Sequence, residues 1–83
     1  MVTTTGIIRG WLEEGIKRGA THMIVVCDTF DYEDYPSYVM PGEDVREEAS
    51  TYDGKNMQRV MEVYSLSQDI EAQLQERRAF NYD

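Results

Sequence analysis

The stretch Thr21-His-Met-Ile-Val-Val-Cys-Asp28 decides the fold, because it holds five consecutive apolar residues. A short run rich in valine and isoleucine is typical of a β-strand that is covered on both faces. Residues 37–40 are expected to return beside it as an antiparallel strand bounded by Pro36 and Pro41, since proline is tolerated at strand starts and sheet edges. The chain has few helices to cover both faces, which predicts that a second subunit supplies part of the cover.

Helical signals lie on either side of these strands. Apolar residues recur with helical spacing over residues 6–18, and capping patterns at Asp44 and Ser65 predict two further helices. Residues 57–64 fit a strand or a helix, and the strand is preferred because two valines and a tyrosine cluster there. The predicted order is therefore α-β-β-α-β-α. It indicates a single α+β domain over residues 1–83, a two-layer fold in which helices cover one face of a small antiparallel sheet of about three strands.

Two further features predict tertiary contacts. Gly10 and Gly15 are poor helix residues, which indicates close packing of their helix against a neighbour. Phe80 and Tyr82 are expected to dock the C-terminal tail onto the core.

The chain is acidic, since 16 Asp and Glu against 8 Lys and Arg give a formal net charge of −8 over 83 residues. This balance excludes non-specific binding of duplex nucleic acid, which requires many contacts from Lys and Arg to phosphates. Three interpretations stay open: a small anionic ligand held by a few local arginines, a basic protein partner, and a surface that only maintains solubility.

The single cysteine, Cys27, excludes an intramolecular disulfide, and its place in an apolar run is typical of a buried thiol in a reducing compartment. No stretch approaches the roughly 18 apolar residues of a membrane span. The N-terminus has no secretory apolar region. These features predict a cytoplasmic protein without membrane contact.

Residues 28–36 form the most informative segment, with four carboxylates and three aromatic rings in nine positions between two strands. One interpretation is a hard-cation site, because Ca²⁺ and Mg²⁺ bind carboxylate oxygens, although the spacing matches no EF-hand. A second is recognition of a flat ligand, in which carboxylates accept hydrogen bonds from base N–H groups and the rings stack. A third is an ordinary solvated hairpin loop. The recognition hypothesis, which we favour over a metal site, assigns ligand binding to Asp28, Phe30, Asp31, Tyr32, Asp34 and Tyr35.

A second group of candidates lies near the start of the first strand. A hydroxyl, an imidazole, two cations and free backbone amides come close together there, which suits a phosphate. The cations can equally complement the negative end of the preceding helix dipole, and the lone histidine can be a packing residue. The candidates for ligand binding here are Thr21 and His22, together with Arg59 from a later strand. Lys17 and Arg18 are the candidates for binding its phosphate, and Arg77 and Arg78 are further basic residues.

No catalytic or cofactor motif accompanies these groups. The chain has no hydrolase elbow, no phosphate-cradling glycine loop and no zinc spacing. His22 and Cys27 are five residues apart, an odd separation that places them on opposite faces of a strand, so they do not form a dyad. We therefore expect a binding protein with no catalytic residue, cofactor or metal.

One segment carries a family resemblance. Residues 19–36, Gly-Ala-Thr-His-Met-Ile-Val-Val-Cys-Asp-Thr-Phe-Asp-Tyr-Glu-Asp-Tyr-Pro, resemble a widespread set of small phage-encoded proteins, and the likeness continues through residues 56–64. That set is similar to the anti-CBASS sponge proteins, phage oligomers that capture cyclic dinucleotide signals made by host immune enzymes. The resemblance implies a non-enzymatic dimer or tetramer in the cytoplasm of an infected host cell, with ligand pockets between subunits.

The sequence supports three hypotheses of function. The first is an immune-evasion protein that sequesters a cyclic nucleotide signal without chemistry. The alternative is an acidic protein-interaction inhibitor that occupies a basic surface of a host defence protein. The third is a small metal-assisted enzyme, in which paired acids such as Asp31 and Asp34 act as acid and base.

Overall fold

The structure is a computed structural model that describes residues 4–54, 57–76 and 79–82. Within those residues the chain forms three helices and one three-stranded antiparallel sheet in the order α-β-β-α-β-α. The α+β class, the number of strands and the order of the elements are therefore confirmed. The elements are α1 (Thr5–Lys17), β1 (His22–Asp28), β2 (Glu33–Val39), α2 (Val45–Tyr52), β3 (Gln58–Ser65) and α3 (Ile70–Leu74).

The strand β1 occupies the centre of the sheet, in the order β2-β1-β3. Its side chains alternate between the two faces of the sheet, as in any strand. Met23 and Val25 belong to one apolar cluster, whereas Ile24 and Val26 belong to another on the opposite face. The continuous apolar run of β1 is thus explained by a central strand that is buried on both sides.

The helices are divided between the two faces of the sheet. On the Met23 face, Ile8 and Leu12 of α1 pack with Tyr64 of β3, and α3 adds partly buried apolar residues at the edge of the same cluster. On the opposite face, α2 packs Val45 and Ala49 against β1 and β3.

The sequence predicted helices on one face only, but the chain itself covers both faces of β1. A second subunit is not needed for that cover, which removes one reason to expect an oligomer.

Two element boundaries differ from the prediction by more than one residue. The strand β2 begins at Glu33, so residues 33–36 are paired with β1 and are not part of a long loop. Pro36 lies within β2, where it is tolerated because β2 is an edge strand. The third helix does not start at the capping pattern of Ser65, which is the last residue of β3. It starts at Ile70, where the Asp69 carboxylate accepts a hydrogen bond from the backbone of the first turn.

The C-terminal segment closes the outer edge of β3. The amide of Val63 donates to the carbonyl oxygen of Ala79 at 2.7 Å, and the amide of Asn81 donates to that of Val63 at 2.9 Å. Residues 79–81 thus run parallel to β3, and Tyr82 packs against the α2 side of the core. The predicted docking of the tail is confirmed for Tyr82, whereas the Phe80 side chain is exposed. None of the helices in the described ranges is long and apolar enough to cross a membrane.

Candidate functional site

The residues predicted to bind a ligand lie at the two opposite ends of β1. Thr21 and His22 are at its start, and Asp28 is its last residue. A strand rises about 3.3 Å per residue, so roughly 20 Å separates the two ends. Arg59 pairs with Cys27 and therefore lies at the Asp28 end. The structure does not assemble the predicted set into one site, and the two ends have to be considered separately.

The carboxylate of Asp28 builds the turn between β1 and β2. Its Oδ1 accepts a hydrogen bond from the amide of Phe30 at 2.8 Å, and its backbone carbonyl accepts one from the amide of Tyr32 at 2.6 Å. This Asp-centred turn is a standard way to reverse the chain. Tyr32 adopts a left-handed backbone conformation with φ 57°, which is uncommon for a residue other than glycine. Asp28 thus has a structural role in the turn, and its role in ligand binding stays a prediction.

The same turn directs two aromatic rings into solvent. The side chains of Phe30 and Tyr32 are 71% and 72% exposed. Met57, which is 56% exposed, joins the turn through its backbone, because its carbonyl oxygen accepts a hydrogen bond from the amide of Thr29 at 2.8 Å. The exposed acids Asp31 and Glu33 complete this surface. We call it the hairpin tip, defined by Phe30, Asp31, Tyr32, Glu33 and Met57.

Two predicted residues of the loop point back into the protein. The ring of Tyr35 packs against the α2-side cluster, and its hydroxyl accepts a hydrogen bond from Nε2 of Gln58. Burial raises the pKa of Tyr35, and the neighbouring Tyr52 adds to that effect. Asp34 pairs with Cys27 across the sheet. These two side chains therefore belong to the fold and not to the exposed hairpin tip.

A row of three side chains crosses the sheet just inside the hairpin tip. Asp34 of β2, Cys27 of β1 and Arg59 of β3 are direct cross-strand neighbours, so their side chains share one face. The pKa of the Cys27 thiol is raised, first by burial and then by its hydrogen bond to the Asp34 carboxylate and the charge of that group, while the positive charge of Arg59 acts in the opposite direction. The raised pKa keeps this thiol protonated at neutral pH, which makes it a poor nucleophile.

At the other end of β1, the phosphate candidates are engaged in local contacts. Nε of Arg18 donates to Oε1 of Glu14 at 3.1 Å, and its guanidinium lies 5.0 Å from the centroid of the Tyr38 ring. Oγ1 of Thr21 donates to the carbonyl oxygen of Val39 at 3.1 Å and lies 3.0 Å from Nδ1 of His22.

Lys17 is exposed in the last turn of α1. The two tail arginines, Arg77 and Arg78, fall outside the described residues. The contacts at this end match the interpretation in which the cations complement the helix end and the histidine packs locally.

A cleft that the sequence did not predict lies between α2 and the C-terminal segment, above β3. Its volume is about 250 Å³. The guanidinium of Arg46 lies over the ring of Tyr82, 4.5 Å from its centroid. The sequence did carry one signal for this site, because a cation in the first turn of a helix opposes the helix dipole. The lining residues are Arg46, Ala49, Ser50, Asp53, Val60, Phe80 and Tyr82.

Within the part of the chain that the structure describes, no group of three or more His, Cys, Asp or Glu side chains is arranged to hold a metal ion. In comparisons with protein-family models, curated proteins and solved structures, nothing matches this chain. The geometry of the hairpin tip and of the cleft is therefore the basis for assigning a function.

Proposed function

We propose that this chain is a non-catalytic binding protein whose hairpin tip docks onto a basic surface of a protein partner. The observation that carries the proposal is the exposure of Phe30 and Tyr32, at 71% and 72%, on a turn held by two hydrogen bonds to Asp28. Phe30 and Tyr32 are the two most exposed large hydrophobic residues among the described residues, so most of their ring surface lacks apolar contacts. A partner that covers them supplies the missing contacts.

Aromatic anchors of this kind dominate the energetics of protein interfaces. Truncation to alanine of a tyrosine or tryptophan at the centre of an interface often weakens the binding free energy by about 2 kcal/mol or more. The hairpin tip is also preorganised, because the Asp28 hydrogen bonds and the pairing of β1 with β2 hold the turn before any partner arrives. A rigid tip loses less conformational entropy on binding than a flexible loop does.

The charge of the hairpin tip favours a basic partner. Asp31 and Glu33 are exposed beside the rings, and the whole chain carries a net charge of −8. Charges at the rim of an interface increase the rate of association and exclude partners of like charge. An acidic tip with apolar anchors fits a cationic groove, such as the substrate-binding surface of a nucleic-acid enzyme. The resemblance to small phage-encoded proteins agrees with the inhibition of a host defence protein.

The test is capture from a bacterial lysate by the immobilised protein, with matched surface variants. The double variant Phe30→Ser/Tyr32→Ser and the charge reversal Asp31→Lys/Glu33→Lys should each lose the captured protein. The control is Ile16→Ser, which removes an exposed apolar side chain from α1, away from the hairpin tip. Equal capture by all four proteins, or capture that is insensitive to salt, would contradict the proposal.

A second candidate function is the capture of a cyclic nucleotide signal, which the family resemblance favours. One observation supports it: Phe30 and Tyr32 flank the carboxylate of Asp31 in sequence and offer exposed ring faces for stacking. Phe30 and Tyr32 are largely exposed on a single subunit, so this function needs a second copy to enclose the ligand.

Calorimetry with a panel of cyclic dinucleotides, together with native mass spectrometry, separates the two candidates. Micromolar binding by an oligomer supports the second candidate, whereas a monomer that binds none of them excludes it.

A further inference from the structure

We infer that the cleft between α2 and the C-terminal segment binds a small planar anion, an aromatic ring that carries an acidic group and an N–H or O–H donor. This site lies on the α2 side of the sheet and shares no residue with the hairpin tip. The inference is independent of the proposed function. It rests on the placement of one arginine, on an apolar wall and on two acceptor groups.

Among the described residues Arg46 makes no ion pair, although the chain has 16 acids and 8 basic residues. It lies in the first turn of α2, where the positive end of the helix dipole makes a cation unfavourable. One face of its guanidinium is occupied by the ring of Tyr82, at 4.5 Å. The N–H groups at its edge remain for a carboxylate or a phosphate, which guanidinium binds in a bidentate manner.

The floor and one wall of the cleft are apolar. Ala49 and Val60 are buried members of the α2-side cluster, and the exposed ring of Phe80 stands at the edge. Phe80 is held there because its segment pairs with Val63 of β3. Drug-sized ligands occupy pockets of about 300–1,000 Å³. A cleft of about 250 Å³ therefore accommodates a single ring with short substituents.

Two acceptors line the cleft along α2 from Arg46, at Ser50 one helical turn away and at Asp53 just after the helix ends. The Ser50 hydroxyl donates to the carbonyl oxygen of Glu47 at 3.2 Å, which leaves its oxygen as an acceptor. One oxygen of Asp53 accepts from the amide of Val60 at 3.3 Å, which leaves the other for a ligand. Asp53 is seven positions after Arg46 in the chain. At 1.5 Å per helical residue their backbones are roughly 10 Å apart. The ligand should place its acidic group near Arg46 and its donor near Asp53.

The experiment is a ¹⁵N-edited NMR titration with four probes: 4-aminobenzoate, phenyl phosphate, the neutral 4-aminobenzamide and inorganic phosphate. We expect 4-aminobenzoate to shift the amides of Ala49, Ser50 and Val60 and to leave that of Phe30 unchanged. Phenyl phosphate has the ring and an acidic group but no donor on the ring, so it should shift these amides less than 4-aminobenzoate does. Neither the neutral amide nor inorganic phosphate should produce the same shifts at equal concentration, because each lacks one half of the recognised chemistry.

Matched variants distinguish a binding site from an arginine that only anchors the tail. Arg46→Gln should weaken 4-aminobenzoate binding by about tenfold or more, the scale of a charge-assisted bidentate contact. Tyr82→Phe keeps the stacked ring and should retain binding, as should the control Glu47→Gln on the same helix turn. The inference is overturned if no probe shifts the cleft amides of the wild-type protein at millimolar concentration. Equal binding by Arg46→Gln or by 4-aminobenzamide also overturns it.

Discussion

The side-chain amide of Gln73 forms two hydrogen bonds with the backbone of Ser65. Its Nε2 donates to the Ser65 carbonyl oxygen at 2.8 Å, and its Oε1 accepts from the Ser65 amide at 2.8 Å. Both residues are buried, with exposed fractions of 3% and 0%. Gln73 thereby supplies the hydrogen bonds that a neighbouring strand would make at the end of β3, and it links α3 to the sheet.

Replacement of Gln73 by leucine should therefore destabilise the protein strongly. The variant removes both hydrogen bonds that Gln73 makes with the buried Ser65 backbone, whose carbonyl oxygen retains the 3.4 Å hydrogen bond from the amide of Gln68. A buried polar group that loses its hydrogen bond costs about 1–3 kcal/mol. We expect the free energy of unfolding to fall by about 1–3 kcal/mol, measured by urea denaturation. Gln75→Leu is the control, since Gln75 is exposed one residue beyond α3 and its replacement should change stability by about 0.5 kcal/mol or less. Similar losses for both variants would contradict the role of Gln73.

Gly10 and Gly15 in α1 should respond to alanine in opposite directions. A Cβ atom at Gly15 would lie 2.8 Å from Cε1 of Tyr38 and 3.0 Å from Cδ1 of Leu66, whereas one at Gly10 meets nothing within 4 Å. The Tyr38 ring has little freedom to move, because its hydroxyl donates to the carbonyl oxygen of Trp11 at 2.8 Å.

Gly15→Ala should thus lower the free energy of unfolding by about 1–3 kcal/mol through overpacking. Gly10→Ala should raise it by about 0.5–1 kcal/mol, because alanine is the better helix former. Thermal denaturation of the two variants measures both effects. If Gly15→Ala is also stabilising, the close contact between α1 and β2 is not formed.

Alkaline conditions should destabilise the protein partly through Tyr64. Burial raises the pKa of Tyr64, and the charge of Glu62 together with its hydrogen bond from the Tyr64 hydroxyl, at 2.9 Å, raises it further. A tyrosine in the unfolded chain loses its proton near pH 10. Above that pH the folded state holds more protons than the unfolded state, so stability falls as pH increases.

Tyr64→Phe should make the decline of unfolding free energy above pH 10 less steep, as measured by urea denaturation at several pH values. Tyr35 and Tyr38 also have raised pKa values, so part of the decline in unfolding free energy should persist in the variant. An identical pH dependence in the two proteins would exclude Tyr64 as a contributor.

The thiol of Cys27 should react slowly while the protein is folded. Its pKa is raised by burial and by Asp34, so little thiolate is present near neutral pH. Asp34→Asn removes the negative charge and should increase the rate of reaction with a disulfide reagent such as DTNB. Asp31→Asn, at the hairpin tip, is the matched control and should leave the rate unchanged. A rate for the native wild-type protein equal to that of the urea-unfolded chain would contradict the prediction.

The central part of the fold was predictable because its signals are local. The apolar run of β1 is long enough to specify a buried strand, and the valines of β3 favoured a strand over a helix at residues 57–64. The close packing expected around the α1 glycines is confirmed at Gly15 but not at Gly10. No signal in the sequence distinguishes them, because the contact depends on where Tyr38 lies after β2 has paired with β1.

The candidate sites were less predictable, because short polar side chains have local structural uses that compete with binding. Asp28, which the sequence predicts to contact a ligand, also forms the turn. Ser65 has a capping pattern, but its backbone is engaged by Gln73 at the end of β3. The cleft was missed because Arg46 and Tyr82 are 36 residues apart in the chain. Their proximity depends on the tail returning along β3.

The sequence by itself determined the type and order of the elements, since strand and helix preferences arise from neighbouring side chains and from the periodicity of apolar residues. Only the tertiary structure decided which helix covers which face of β1, which loop side chains face solvent and where a cleft opens. Those outcomes depend on contacts between residues distant in the chain, and these form only when the packing of the whole domain selects one arrangement.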